Sequence, residues 1–195
     1  MQQKLRAVLR ASGSILRQQQ QLCENIASTD VLHSVYSRKC SVAGASIAGH
    51  LRHSLDHYSI LLNSVTTALS TPGSKALIYY DGRKRNVDME KNVLVGVDAF
   101  RECYSLLQEV DTQEAYSIQV IPVFQIGQSD ETSQLASSLD RELWFCAHHA
   151  IHHNAMIMMI SNLVKNESER KLLLETIPEG FGLAPATKSS LEETN

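Results

Sequence analysis

The sequence predicts an all-α protein, a four-helix bundle with a short β or extended excursion before its last long helix. Three observations predict it. Four long stretches carry apolar residues at helical spacing. The breaker residues between them are gathered into short runs. Gly and Pro number only 9 and 4 in 195 residues, too few for an all-β chain with many turns. This length suits a single domain over 1–195, with its core at about 14–165 and an irregular tail over 178–195.

The elements follow in order. A first helix is expected over 2–28, ending near Ser28-Thr29-Asp30, with the run Gln18 to Gln21 on its polar surface. A connector holding Tyr36 and Cys40 leads to a second helix over 43–69, stopped by Ser70-Thr71-Pro72-Gly73. Residues 75–87, with Tyr79-Tyr80-Asp81-Gly82-Arg83, read as a loop crossing the bundle. A third helix over 88–110 takes Asp88 as its N-cap. The run from Tyr116 to Ile126 alternates and is rich in β-formers, and Pro122 confines it to a sheet edge. The fourth helix, about 137–164, opens on Ser137 with Asp140 three residues on, a capping-box pattern with Asp in the Glu position.

Composition narrows the function classes. The net charge is −3 and the pI about 6.2. Nucleic-acid binding needs clustered Lys and Arg, and the longest cluster is Arg83-Lys84-Arg85, so no nucleic-acid partner is expected. No apolar stretch approaches the roughly 20 residues that span a bilayer, so no membrane partner is expected either. The four cysteines, 23, 40, 103 and 146, form no paired motif and read as reduced thiols, which points to a cytoplasmic protein. The acid-free, basic start (Lys4, Arg6, Arg10, Arg17) is also compatible with an organelle transit peptide; it reads more simply as the start of the first helix.

The histidines carry the chemical signal. Seven of the eight fall in two clusters: His50, His53 and His57 on the second helix, and His148, His149, His152 and His153 on the fourth. Residues four apart stand one turn above each other on one helix face, so two such imidazoles can share a metal ion. At about 100° per residue, the apolar stripe of the fourth helix (Phe145, Cys146, Met156, Ile157, Ile160) is centred between His149 and His153. His148 and His152 lie at its border. Two inward imidazoles without partners are costly, and a metal ion satisfies both ligand nitrogens. Without a metal, the alternative is a polar network of hydrogen-bonded histidines. Glu142, two turns before His149, is either a partner for an outer imidazole N–H or a carboxylate favoured by the helix dipole. On the second helix the wet face is marked by Arg52, Asp56, Ser59 and Asn63. Its periodicity favours His50 or His57 as the third ligand, with His53 nearer the edge.

The segments Gly49-His-Leu-Arg-His-Ser-Leu-Asp-His-Tyr58 and His148-His-Ala-Ile-His-His-Asn-Ala155 resemble the two signature regions of the DinB-like superfamily of metalloenzymes. The likeness covers roughly residues 14–165 in helix order and spacing. It implies a four-helix bundle with a three-histidine metal site, one ligand from the second helix and two from the late H-x-x-x-H pair. By this match the ligands are His53, His149 and His153, with His57 and then His50 as the next candidates. The family's late motif often continues His-Arg-Gly-Gln, where this chain reads His153-Asn154-Ala155-Met156. The departure bears on the groups around the ligands rather than on the pair itself.

Three neutral imidazoles suit zinc, nickel or iron and leave coordination positions open. A di-iron site of the ferritin type needs Glu-x-x-His pairs, and none occurs here. The expected function is that of a divalent-metal-dependent enzyme acting on a small molecule by thiol transfer or hydrolysis. Some members of the resembling superfamily transfer low-molecular-weight thiols. No residue stands out as a general base. The alternative is a non-catalytic metal-binding or interaction bundle. Trp144, Ile151 and Met158, seven residues apart on the polar side of the fourth helix, predict a homodimer contact.

Overall fold

In the computed structural model the structure describes residues 2–71, 73–82, 87–112, 114–125 and 132–184. Six helices and three strands follow in the order α1 (Gln2–Ala27), α2 (Asp30–Ser37), α3 (Ile47–Leu69), β1 (Ala76–Tyr79), α4 (Val93–Glu109), β2 (Val120–Gln125), β3 (Thr132–Gln134), α5 (Leu139–Asn162) and α6 (Glu167–Thr176). The four long helices form the bundle. α1 packs against α4 and α5, and α3 packs against the same two. Their shared core includes Leu16, Leu22, Ile26, Leu51, Leu61, Leu62, Phe100, Leu143 and Ile157. α1 joins this core from Leu5 onward.

The helix starts follow local capping chemistry. Ser46 caps α3, its hydroxyl accepting from Gly49 N–H. Asn92, not Asp88, caps α4. Asp88–Glu90 form a separate 3-10 turn that ends before the helix begins. The Ser137–Asp140 capping box does not form. α5 starts at Leu139, and the Ser137 hydroxyl donates instead to Glu142 Oε1 at 2.5 Å. α2 and α6 lie where no helix was expected. Both are short, and α6 bears a buried Leu173 within a strongly polar sequence, so periodicity gives little signal there.

The excursion is larger than expected, because residues 76–79, read as loop, are a strand. β1 pairs parallel with β2 (Ala76↔Val120 to Tyr79↔Val123), and β2 pairs antiparallel with β3. Pro122 therefore sits in the central strand rather than at an edge. It is tolerated because its missing N–H faces the β3 side. There its pairing with the chain after β3 keeps a single bond, Leu135 N–H to Pro122 C=O at 3.2 Å.

Two surfaces expected to be wet are dry. Gln19 is fully buried, its amide donating to Ser54 Oγ (2.8 Å) and Asn154 Oδ1 (2.7 Å), which ties α1 to α3 and α5. Arg52 is also buried. It pairs with Asp56 (2.7 Å) and, through Nε, with Glu90 (2.6 Å), fastening α3 to the 3-10 turn. Burial raises the Asp56 carboxyl pKa against the opposing pull of Arg52. The run Arg83-Lys84-Arg85 lies outside the described residues, as do Pro72, Ile126 and the tail from Pro185. What is described of the tail packs closely. Phe181 is buried, and Gly182 (φ +76°) lies where a Cβ would meet Ala155 N at 2.9 Å and Asn154 C at 3.0 Å.

Candidate metal centre

α3 and α5 bring five imidazoles together. His57 and His153 are buried, and His50, His53 and His149 are half-buried. His148 and His152 are exposed, as the helical wheel of α5 predicts. His33, the eighth histidine, lies apart on α2, with Nε2 3.0 Å from the Ala27 carbonyl.

Donor nitrogens of His53, His57 and His149 all lie within 4.8 Å of one another. This three-histidine cluster is able to coordinate a metal ion. His53 and His149 belong to the expected ligand set, and His57 was the next candidate. The rings crowd one another, with centroids at 4.1 Å for His57–His149, 4.8 Å for His53–His57 and 4.9 Å for His53–His149. His153 lies beside the three, its ring 4.6 Å from both His53 and His149. Its Nε2 is 3.1 Å from His149 Nε2. Two nitrogens on one tetrahedral zinc, each at about 2.0–2.1 Å, stand about 3.3 Å apart, so this spacing also suits ligands of one ion. On its other edge His153 Nδ1 meets His50 Nδ1 at 2.7 Å.

The donor set fits a metal on chemical grounds. His57 Nδ1 is 2.9 Å from the His53 carbonyl. A carbonyl only accepts, so Nδ1 carries the proton and Nε2 presents a lone pair. Fixing the tautomer through the far nitrogen is how ligand histidines are held. Burial lowers the pKa of His57, against the pull of Asp81, and lowers that of His50. His153 is pushed down to about 3, first by burial and then by the surrounding imidazoles. The neutral form of histidine, favoured here, is the one that binds metal.

Aromatic and polar groups from the excursion and the start of α5 frame one side. Tyr80, in the turn after β1, stacks on His57 (5.1 Å, 20°), and Phe145 stacks on His149 (5.7 Å, 27°). The Tyr80 hydroxyl donates to Glu142 Oε2 at 2.8 Å. Glu142 is 0% exposed, and its other oxygen accepts from Ser137 and from Arg141 Nη1 (2.7 Å). Glu142 therefore reaches the histidines through Tyr80. Cys146 is fully buried 3.8 Å from the same hydroxyl, and burial raises its thiol pKa.

In the sequence Tyr80 belongs to a segment that reads more simply as plain loop, the alternative being a pocket rim of Tyr79, Tyr80, Asp81, Arg83 and Arg85 at the bundle end; the structure sets Tyr80 against His57 and leaves Tyr79 exposed. A separate cavity of about 430 Å³, lined by Val35, Cys40, Val42, Ile160 and Val164 among others, holds none of the imidazoles.

No protein-family model, no curated protein and no solved structure matches this chain. The reading therefore rests on the molecule: a three-histidine cluster, within helix-bundle packing, consistent with a DinB-like four-helix-bundle metal site.

Proposed function

We propose that this protein binds one divalent transition metal ion (zinc, nickel or iron) and uses it to act on a small-molecule substrate. The observation that carries the reading is the donor set His53, His57 and His149, within 4.8 Å and drawn from two helices of one bundle. An ion held by three neutral imidazoles supplies a Lewis acid that makes a thiol or water nucleophilic near neutral pH. Burial favours the neutral form of His57, the His53 carbonyl fixes its tautomer, and Tyr80 and Phe145 shield one side. Cys146 is not the reacting thiol in this scheme, because a buried protonated thiol is a poor nucleophile. In a thiol transfer, the thiol comes from the substrate side.

A second reading has its own observation. His153 beside His149 offers a fourth imidazole, and four ligands would close the ion into a structural, non-catalytic centre. Elemental analysis tests metal binding: near one equivalent of zinc, nickel or iron in the wild type, lost in His149→Ala. A cobalt(II)-loaded chain then separates the two readings. A visible spectrum that shifts on adding a small thiol marks an open position and supports the enzyme; a spectrum indifferent to thiol and azide supports the closed site.

Among the described residues, no helix is long and apolar enough to cross a membrane. Of the expected contact stripe, Trp144 is 52% exposed while Ile151 and Met158 are half-buried against the core, so pairing of two copies, part of the same proposal, would centre on Trp144. A monomeric mass, identical in the wild type and Trp144→Ala, would remove it.

A further inference from the structure

Two pieces of the chain between α3 and α5 converge on one carboxylate. β1 leads into Tyr80, whose hydroxyl reaches Glu142 Oε2. β2 holds Ser137, whose N–H donates to the Val120 carbonyl (2.9 Å) and whose hydroxyl reaches Glu142 Oε1. Glu142, two turns ahead of His149 on α5, thus fixes the far end of the Tyr80 side chain. The Tyr80 ring lies between the two ligand-bearing helices, stacked on His57 of α3 and 5.4 Å from Phe145 of α5.

We propose that Tyr80 is a positioning residue of the metal centre: anchored by Glu142, its ring holds the face of His57 and keeps that imidazole aimed at His53 and His149. The inference rests on the metal reading above. The two restraints on His57 are complementary. The His53 carbonyl fixes which nitrogen carries the proton, and the stacked phenol stops the ring from turning about its Cβ–Cγ bond. His50 and His153 have each other's ring in place of such a carbonyl. A carboxylate buried with three donors is a rigid anchor, because releasing Tyr80 leaves the buried Oε2 without its hydrogen bond.

The test is competitive titration of the full-length chain with zinc against a chromophoric chelator, together with the visible spectrum of the cobalt(II) form. Tyr80→Leu removes ring and anchor, and roughly 10- to 100-fold weaker zinc binding is expected, the range for losing a group that orients a ligand. Tyr80→Phe keeps the ring and falls between Tyr80→Leu and the wild type. Both variants alter the cobalt spectrum. Leu62→Ala, a core change on α3, the helix of His57, serves as the control for general loosening and lowers the melting midpoint without moving the affinity. Wild-type affinity and spectrum in Tyr80→Leu overturn the proposal, as does a Leu62→Ala loss equal to that of Tyr80→Leu. If Tyr80→Leu does not fold, Tyr80→Phe decides, and an unchanged affinity and spectrum there overturn it too. A wild-type chain that takes up no metal refutes the metal reading itself, and this inference with it.

Discussion

The two ends of the imidazole cluster are built differently. At one end His57 is held by a backbone carbonyl and a stacked phenol, so a single tautomer and a single ring orientation are favoured. At the other end His153 and His50 meet nitrogen to nitrogen, and either ring can be the donor. The first end is preorganised to give a lone pair to a metal; at the second, His153 Nε2 has a lone pair to give only when its Nδ1 is the donor to His50. The contrast teaches that ligand choice in a histidine-rich core depends less on which rings face inward than on what each ring's far nitrogen touches.

The largest effect is expected at the residue both ends share. His149→Ala removes the ring that contacts His57, His53 and His153, and should weaken metal binding by on the order of 100-fold or more, read by metal content after dialysis against a chelator. Next comes the comparison itself. His57→Ala should cost more affinity than His153→Ala, with the latter nearer 10-fold. The reverse order in the same titration would mean that the ion sits on His53, His149 and His153.

Gly182→Ala probes the His153 end from outside. A methyl group there meets the α5 backbone beside His153, at a positive φ, and should destabilise the protein by about 1–3 kcal/mol in urea unfolding. Any loss of metal affinity should be smaller than for Tyr80→Leu, since the clamp at His57 is untouched.

The smallest effect concerns acid. His153 titrates at about 3 in the folded chain, against 6.5 for a free side chain, so the unfolded state binds the extra proton. Its contribution is unpenalised above pH 6.5, and stability is lost as pH falls from 6.5 toward 3. The metal-free wild type should therefore melt progressively earlier between pH 7 and pH 5, and His153→Gln should flatten that slope. An equally steep slope in the variant would assign the acid sensitivity to other groups.

Much of this architecture was legible because it is periodic. The four long helical stretches and the breakers between them located the bundle, and the wheel of α5 separated buried His153 and half-buried His149 from exposed His148 and His152. On α3 the same method named His50 and His57 while placing His53 at the edge; the structure gathers all three. What periodicity misjudged were polar residues whose partners are distant in sequence. Gln19 looked like surface until Ser54 and Asn154 came to meet it, and Arg52 until Glu90 did.

The sequence by itself determined the helical class, the two histidine-bearing helices and their i, i+4 pairs, because side-chain direction on a helix follows from backbone geometry alone. Only the tertiary structure decided that His57 joins His53 and His149, that Glu142 serves Tyr80 rather than an imidazole, and that β2 carries Pro122 at the centre of a sheet. Those outcomes rest on contacts between residues far apart in sequence, such as Tyr80 and Glu142, 62 positions apart. Their energies come from desolvation and partner geometry, which no local pattern encodes.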